Sequence, residues 1–196
     1  MDGYPKTVRA RGLELTIRPL EPNDLDDLAR FFRELPESER MFLRENVTDL
    51  AVVKRFVAEL GDDHTLRLVA ITDGRIVAHG ALLRERPGWM RHVGEVRVIV
   101  AKEAQRRGVA TVLVRELCSQ AVARGIDKLV AMVPQDQTGA LATFEKLGFS
   151  REATLRNHVL DLKGQKRDLL VLANHTAELW HRMEDMILDR EFSVEQ

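Results

Sequence analysis

The sequence predicts a single α/β domain of the α+β kind, a mixed sheet with helices packed against it. Three observations lead there. Strand-like and helix-like segments follow one another as β-α-α-β-β-β-α-β-α-β-β-α. The 196 residues suffice for one large domain, and no shift in composition divides them, so the domain is assigned to 1–196. Hydrophobic residues at 44% and charged residues at 31% give the balance of an ordinary globular chain.

Each element has its own signal. "LELTIRPL" (Leu13 to Leu20) alternates as a strand and is stopped by Pro19 and Pro22. "NDLDDLARFFREL" reads as a helix with Asn23 as N-cap and Leu25, Leu28, Phe32 and Leu35 on one face. "TDLAVVKRFVAELG" is a second amphipathic helix, capped by Thr48 or Asp49, burying Val53, Phe56, Val57 and Leu60 and ending at Gly61. "LRLVAIT" and "RIVAHGALLRE" are strands joined by Asp73–Gly74, a hairpin signal because both residues tolerate positive φ. After the loop "RPGWMRH" comes the strand "GEVRVIV", then a helix from about Val109 to Arg124 ended by Gly125. "KLVAMVP" is a strand closed by Pro134, and "TGALATFEKLGF" a short helix with Gly148 at its C-cap. "ATLRNHVLDL" and "KRDLLVLAN" are late strands around Lys163–Gly164. A terminal helix is predicted over about 175–190, with Leu179, Met183, Met186 and Ile187 along one side.

Several function classes are disfavoured. The net charge of -1 leaves no excess positive charge to neutralise phosphates, so nucleic acid is not expected as a partner. The single cysteine, Cys118, permits no intramolecular disulfide, and "MDGYPKTVRARG" has no apolar leader core, so the cytoplasm is the expected compartment. No run approaches the roughly 20 apolar residues of a membrane helix.

The chemistry concentrates at "VRVIVAKEAQRRGVATVLVREL", where a strand turns into a helix through one glycine. A helix N-terminus carries up to four free N–H groups and about half a positive charge, which makes it an anion site. Gly108 allows close backbone approach, Val109 and Ala110 leave the first turn uncluttered, and Arg106 and Arg107 add charge. The expected ligand is a phosphate group, against the alternative of a solvated basic turn. Neither the Walker A pattern nor the G-x-G-x-x-G dinucleotide pattern is present.

Taken together, "QRRGVA" after a strand and a later helix ending in "KLGF" resemble the GNAT superfamily of acyl-CoA-dependent N-acetyltransferases. The order of elements from about 13 to 173 matches that fold, whose mixed sheet is mostly antiparallel; the terminal helix is an addition to it. The resemblance implies that Val98, Ile99 and Val100 line the pantetheine arm of acetyl-CoA. It implies that the amides of Arg106, Arg107, Gly108, Val109 and Ala110 hold the pyrophosphate, with Gln105 at the first position of the cofactor-binding motif. It further implies direct acetyl transfer to a primary amine, of a protein lysine or a small molecule, with no metal. The run "RPL…D…L…F…L…S.R" is similar to bacterial protein lysine acetyltransferase domains.

Attack requires a neutral amine, and only about 1 in 2,500 lysine side chains is neutral at pH 7. A base is therefore useful. Glu95, early in the core strand, is the first candidate, with an ion pair to Arg97 as the competing reading; His92 is the second. Alternation places Glu95, Arg97 and Ile99 on one face of the strand unless a bulge resets the phase. In the family a tyrosine seven residues past an asparagine protonates the leaving thiolate. Here Phe144 and Gln137 take those places, and Phe has no proton to give. That departure keeps open a catalytically weak acyl-CoA-binding module, and a homodimer through the terminal helix is a further expectation.

Overall fold

The computed structural model describes residues 3–84 and 88–176. Its strands are β1 (Lys6–Ala10), β2 (Leu13–Pro19), β3 (Thr65–Thr72), β4 (Arg75–Arg84), β5 (Val93–Val100), β6 (Lys128–Pro134), β7 (Ser150–Leu160) and β8 (Lys166–His175). They form one sheet in the order β1-β2-β3-β4-β5-β6-β8-β7. Every neighbouring pair is antiparallel except β5 and β6, which run parallel. The mixed, mostly antiparallel sheet is the expected one. β1 is a strand the sequence reading missed. It folds back on β2 through Arg11 and Gly12, whose φ values of 41° and 84° make the turn tight.

Two helical layers cover the sheet. On one side lies α4 (Val109–Ala123), burying Val109, Leu113, Val114, Leu117, Cys118 and Ala121. It sits so close that a Cβ at Gly80 would come within 3.0 Å of Leu113 and Leu117. On the other side lie α1 (Leu25–Glu34), the single turn α2 (Glu37–Arg40) and α3 (Leu50–Ala58). Phe32 of α1 and Phe56 of α3 close over His79 of β4, with ring centroids 5.5 and 6.1 Å away. The short α5 (Thr138–Lys146) follows β6.

Local chemistry decides the helix starts. Asp49 caps α3 by accepting a hydrogen bond from the Ala51 amide at 2.8 Å, which settles the Thr48 or Asp49 alternative. Asn23 does not cap α1. Pro22–Asp24 form a 3-10 turn instead, and Asp24 takes the anchoring part. Its carboxylate accepts the Glu21 amide at 2.8 Å and both Arg18 terminal nitrogens at 2.6 and 2.8 Å. A carboxylate offers more acceptor sites than an amide and pairs with guanidinium, so Asp24 outcompetes its neighbour.

From residue 177 on, the helix predicted over about 175–190 lies outside the described residues, as does the dimer contact expected of it; His175 still belongs to β8. The last described residue, Thr176, donates from Oγ1 to the Ile126 carbonyl at 2.7 Å, tying the end of β8 to the start of β6. Among the described residues no helix is long and apolar enough to cross a membrane.

Candidate active site

The parallel contact between β5 and β6 is short. Val93, Gly94 and Glu95 pair with Lys128, Leu129 and Val130, and there the pairing stops. On its other edge β5 stays paired with β4 as far as Val100. From Val96 to Val100 the β6-facing edge of β5 therefore has no strand partner, and the sheet opens as a cleft. Val98 and Ile99 line the resulting cavity of about 320 Å³, together with Met132, Val133, Gln137 and Phe144 from the opposite wall. Val100 is buried at the C-terminal end of the strand.

The same strand leads into the hinge. Gln105 Nε2 donates to the Val100 carbonyl at 3.1 Å, closing the turn. Arg106 and Gly108 have φ of 58° and 82°, so the chain twists through left-handed geometry twice before α4 begins. Gly108 is the N-cap of α4 and supplies no capping side chain. Among the described residues none of the amides from Arg106 to Ala110 donates to a backbone carbonyl. A row of open N–H groups at the head of a helix continues the open edge of β5. The Arg106 and Arg107 side chains are exposed beside it. Arg11, from the β1–β2 turn, donates to the Arg106 carbonyl at 3.2 Å and braces the hinge.

The acceptor side of the cavity is built by charge. Register with β4 runs unbroken from Val100 to Gly94, so no bulge resets β5, and Glu95, Arg97 and Ile99 share the face toward α1 and α3. Glu95 accepts two hydrogen bonds from Arg97, at 2.9 and 3.0 Å, and forms an ion pair with Arg44 at 2.8 Å. Arg44 follows α2, and its Nη2 also donates to Met132 Sδ at 2.8 Å, so it bridges β5 and β6 across the cleft. Deeper in, Arg67 pairs with Glu59 at 2.8 Å and stacks on the Phe56 ring, 3.8 Å from its centroid. His79 is 6% exposed, and its Nε2 has no partner among the described residues. Burial, helped by the Arg67 charge, pushes its imidazole down to about 3, so His79 is neutral at any physiological pH.

The remaining expected residues fall as follows. Gln137 precedes α5 as its N-cap and lines the cavity. Phe144 is buried, with its ring edge-on to Phe149 at 5.1 Å, and forms part of the cavity wall. His92 is misplaced for a base. It lies before β5, at the end where β5 and β6 are still joined, and lines a second cavity with His64, Arg84, Trp89 and Asp127. Trp89 neither covers the core nor walls the acceptor cavity; it is 88% exposed. Cys118 is buried in α4, and burial pushes its thiol up to about 12, so no thiolate nucleophile is available there. The hydroxyl of Tyr4 donates to Glu116 on α4 at 2.6 Å; burial and that carboxylate raise its pKa, which removes it as a proton donor to the cleft. Among the described residues no group of three or more His, Cys, Asp or Glu is placed to hold a metal ion.

Two parallel strands thus diverge into a cleft that leads to an open helix N-terminus. The family model described as the acetyltransferase (GNAT) family matches residues 25–149. The chain belongs to that family. It is a GNAT acetyltransferase. Over 140 residues it is 38% identical to glucosamine 6-phosphate N-acetyltransferase 1 of Oryza sativa subsp. japonica, covering 68% of this chain and 79% of that protein. Its fold is similar to the GNAT domain of S. lividans PAT, with a TM-score of 0.75 and 22% identity, covering 89% of this chain and 98% of that one. It is also similar to a Salmonella typhimurium chain solved with its cofactor acetyl-CoA. There the TM-score is 0.70 and the identity 17%, over 83% of this chain and 94% of the other. Within this GNAT domain, sequence reasoning missed Arg11, Arg44, Arg67 and His79. Only His79 left a trace, as a polar residue inside the otherwise apolar run "RIVAHGALL".

Proposed function

We propose that this GNAT acetyltransferase moves an acetyl group from acetyl-CoA directly to a primary amine. The observation that carries the reading is the continuity of three open backbone surfaces: the unpaired edge of β5, the left-handed hinge and the head of α4. Extended backbone with free polar groups suits the amides of a pantetheine arm, and open N–H groups at a helix head suit a pyrophosphate. In this reading Val98 to Val100 hold the arm, and the amides around Gly108 hold the phosphates. Gln105 fixes the turn, and Gln137 and Phe144 wall the thioester.

The amine enters from the side of Glu95. Its nitrogen attacks the thioester carbonyl carbon, a C–N bond forms, and the C–S bond breaks as the tetrahedral intermediate collapses. Glu95, at the mouth of the cleft, accepts the amine proton directly or through water. The sulfur leaves as thiolate and takes a proton from solvent, which a thiol of pKa near 8.5 permits. Buried Cys118 and neutral, enclosed His79 take no part in bond making. The relative from Oryza sativa is named for an amino sugar phosphate, and an acceptor of that kind is one member of the class proposed. A protein lysine is another, and the cytoplasm is the compartment proposed.

The test is release of free thiol from acetyl-CoA in the presence of glucosamine 6-phosphate, spermidine or a lysine peptide, together with calorimetry of acetyl-CoA alone. Binding with turnover of at least one amine supports transfer. Binding with no turnover of any of them supports the acyl-CoA-binding module instead, which the phenylalanine at position 144 favours.

A further inference from the structure

Around Glu95 the charges do not balance. One carboxylate faces two guanidinium groups, Arg97 at 2.9 Å and Arg44 at 2.8 Å. The deeper cation, Arg67, is already matched by Glu59, and Arg55 serves Glu45 as well as Glu59. His79 adds no charge. At Glu95 itself guanidinium therefore outnumbers carboxylate by one; over the whole lining Glu39, Glu45, Glu59 and Glu95 face Arg44, Arg67 and Arg97, so the surplus is local to the two arginines on Glu95. Arg44 also spends an N–H on the thioether of Met132, a weak acceptor that an anion would readily replace. Glu39, which lines the same cavity, has no ion pair among the described residues and supplies the opposite charge.

We propose that Arg44 and Arg97 form an anion-recognition site for the acceptor, which is a small amine carrying a carboxylate or phosphate rather than a plain polyamine. The inference rests on the acetyl-transfer reading above. Both guanidinium groups line the cavity and keep N–H groups beyond those Glu95 takes, and planar forks of this kind suit carboxylate or phosphate oxygens. Glu95 holds both arginines in place and keeps them from repelling each other. Arg44 is the specificity residue: its side chain is 45% exposed, and only its weak contact with Met132 has to give way to an incoming anion.

Matched amines decide it. Thiol release from acetyl-CoA by the full chain is compared for glucosamine 6-phosphate against glucosamine, for alanine against alaninamide, and for spermidine. The first pair reads a phosphate anion and the second a carboxylate. Within at least one pair the anionic member is expected to have a kcat/KM tenfold or more above its neutral partner and above spermidine. Arg44→Gln, which leaves the Arg97–Glu95 pair intact, is expected to remove that advantage through KM, with kcat changing less than about threefold. Because Arg44 also touches Glu95, the ratio of anionic to neutral substrate within each pair, and not the absolute rate, is the readout. Arg44→Lys, which keeps the charge and loses the planar fork, is expected to fall between. Preference for spermidine or the neutral amines, or an anion preference untouched by Arg44→Gln, overturns the anion site alone. Failure of acetyl-CoA to bind overturns the acetyl-transfer reading first, and this inference with it.

Discussion

Arg44 and Glu95 meet at 2.8 Å although one follows the short helix α2 and the other lies on the central strand β5. Arg97 takes both oxygens of the same carboxylate. The arginine-holding role of Glu95 has therefore to be separated from its proposed role as proton acceptor. Glu95→Gln removes the charge and keeps the shape. The expected result is a fall in kcat of about 10²–10³-fold across pH 6 to 9, within the range of a lost general base. A variant whose rate equals that of the native chain across that range would leave Glu95 as an anchor for Arg44 and Arg97 only.

Gly108 has φ of 82°, in the region that side chains avoid, while an added Cβ would meet nothing nearer than 4.0 Å. Backbone geometry, not crowding, selects glycine there. Gly108→Ala should cost about 1 kcal/mol of stability and retain weakened acetyl-CoA binding. Gly108→Glu adds a negative charge at the anion site, and calorimetry should then detect no binding. Arg11→Ala tests the brace from the β1–β2 turn. Loss of one exposed hydrogen bond to the Arg106 carbonyl should raise the KM for acetyl-CoA about three- to tenfold, with kcat little changed.

These residues show what could be read from the sequence. The hinge was legible because backbone physics alone singles out a strand, a glycine and a helix head. The facing of Glu95, Arg97 and Ile99 followed from alternation, and register with β4 is unbroken there. β1 was missed because its five residues lack the apolar density of an interior strand and pair on one side only. The acceptor side was illegible for a different reason. Arg44 follows the apolar Met41, Phe42 and Leu43 in a stretch with no periodic pattern, and only the fold carries it to Glu95. His92 was a candidate by type and nearness in sequence, yet three residues of extended chain span roughly 10 Å, enough to put it in another cavity.

Phe144 tests whether the departing thiolate needs help. Its ring is buried against Phe149 in the wall of the cleft. Phe144→Tyr places a hydroxyl where a proton donor would stand. If the thiolate leaves unaided, kcat should change less than about threefold, against the 10²–10⁴-fold typical of general acid catalysis. A rise of tenfold or more would show that protonation limits turnover in the native chain. The hydroxyl should also cost about 1 kcal/mol of stability if it finds no partner, so thermal unfolding accompanies the rate measurement.

Asp24 carries a prediction about acid stability. Burial favours its neutral form, but the hydrogen bonds from Arg18 and the Glu21 amide, with the Arg18 charge, outweigh burial and hold its carboxyl below the usual range. A folded-state pKa below the unfolded value means that stability is fully present above the unfolded value, about 3.9. It is lost as pH falls from there through the folded value. Asp24→Asn leaves Arg18 without its strongest partner in a site where the Asp24 side chain is 9% exposed. Urea unfolding at pH 7 should show a loss of about 2–3 kcal/mol, near the lower bound for breaking a buried pair because Arg18 is partly solvated. At pH 3 the gap between native and variant should narrow, since protonation has begun to do to Asp24 what the substitution does. An equal gap at both pH values would mean that Asp24 contributes through its turn geometry and not through its charge.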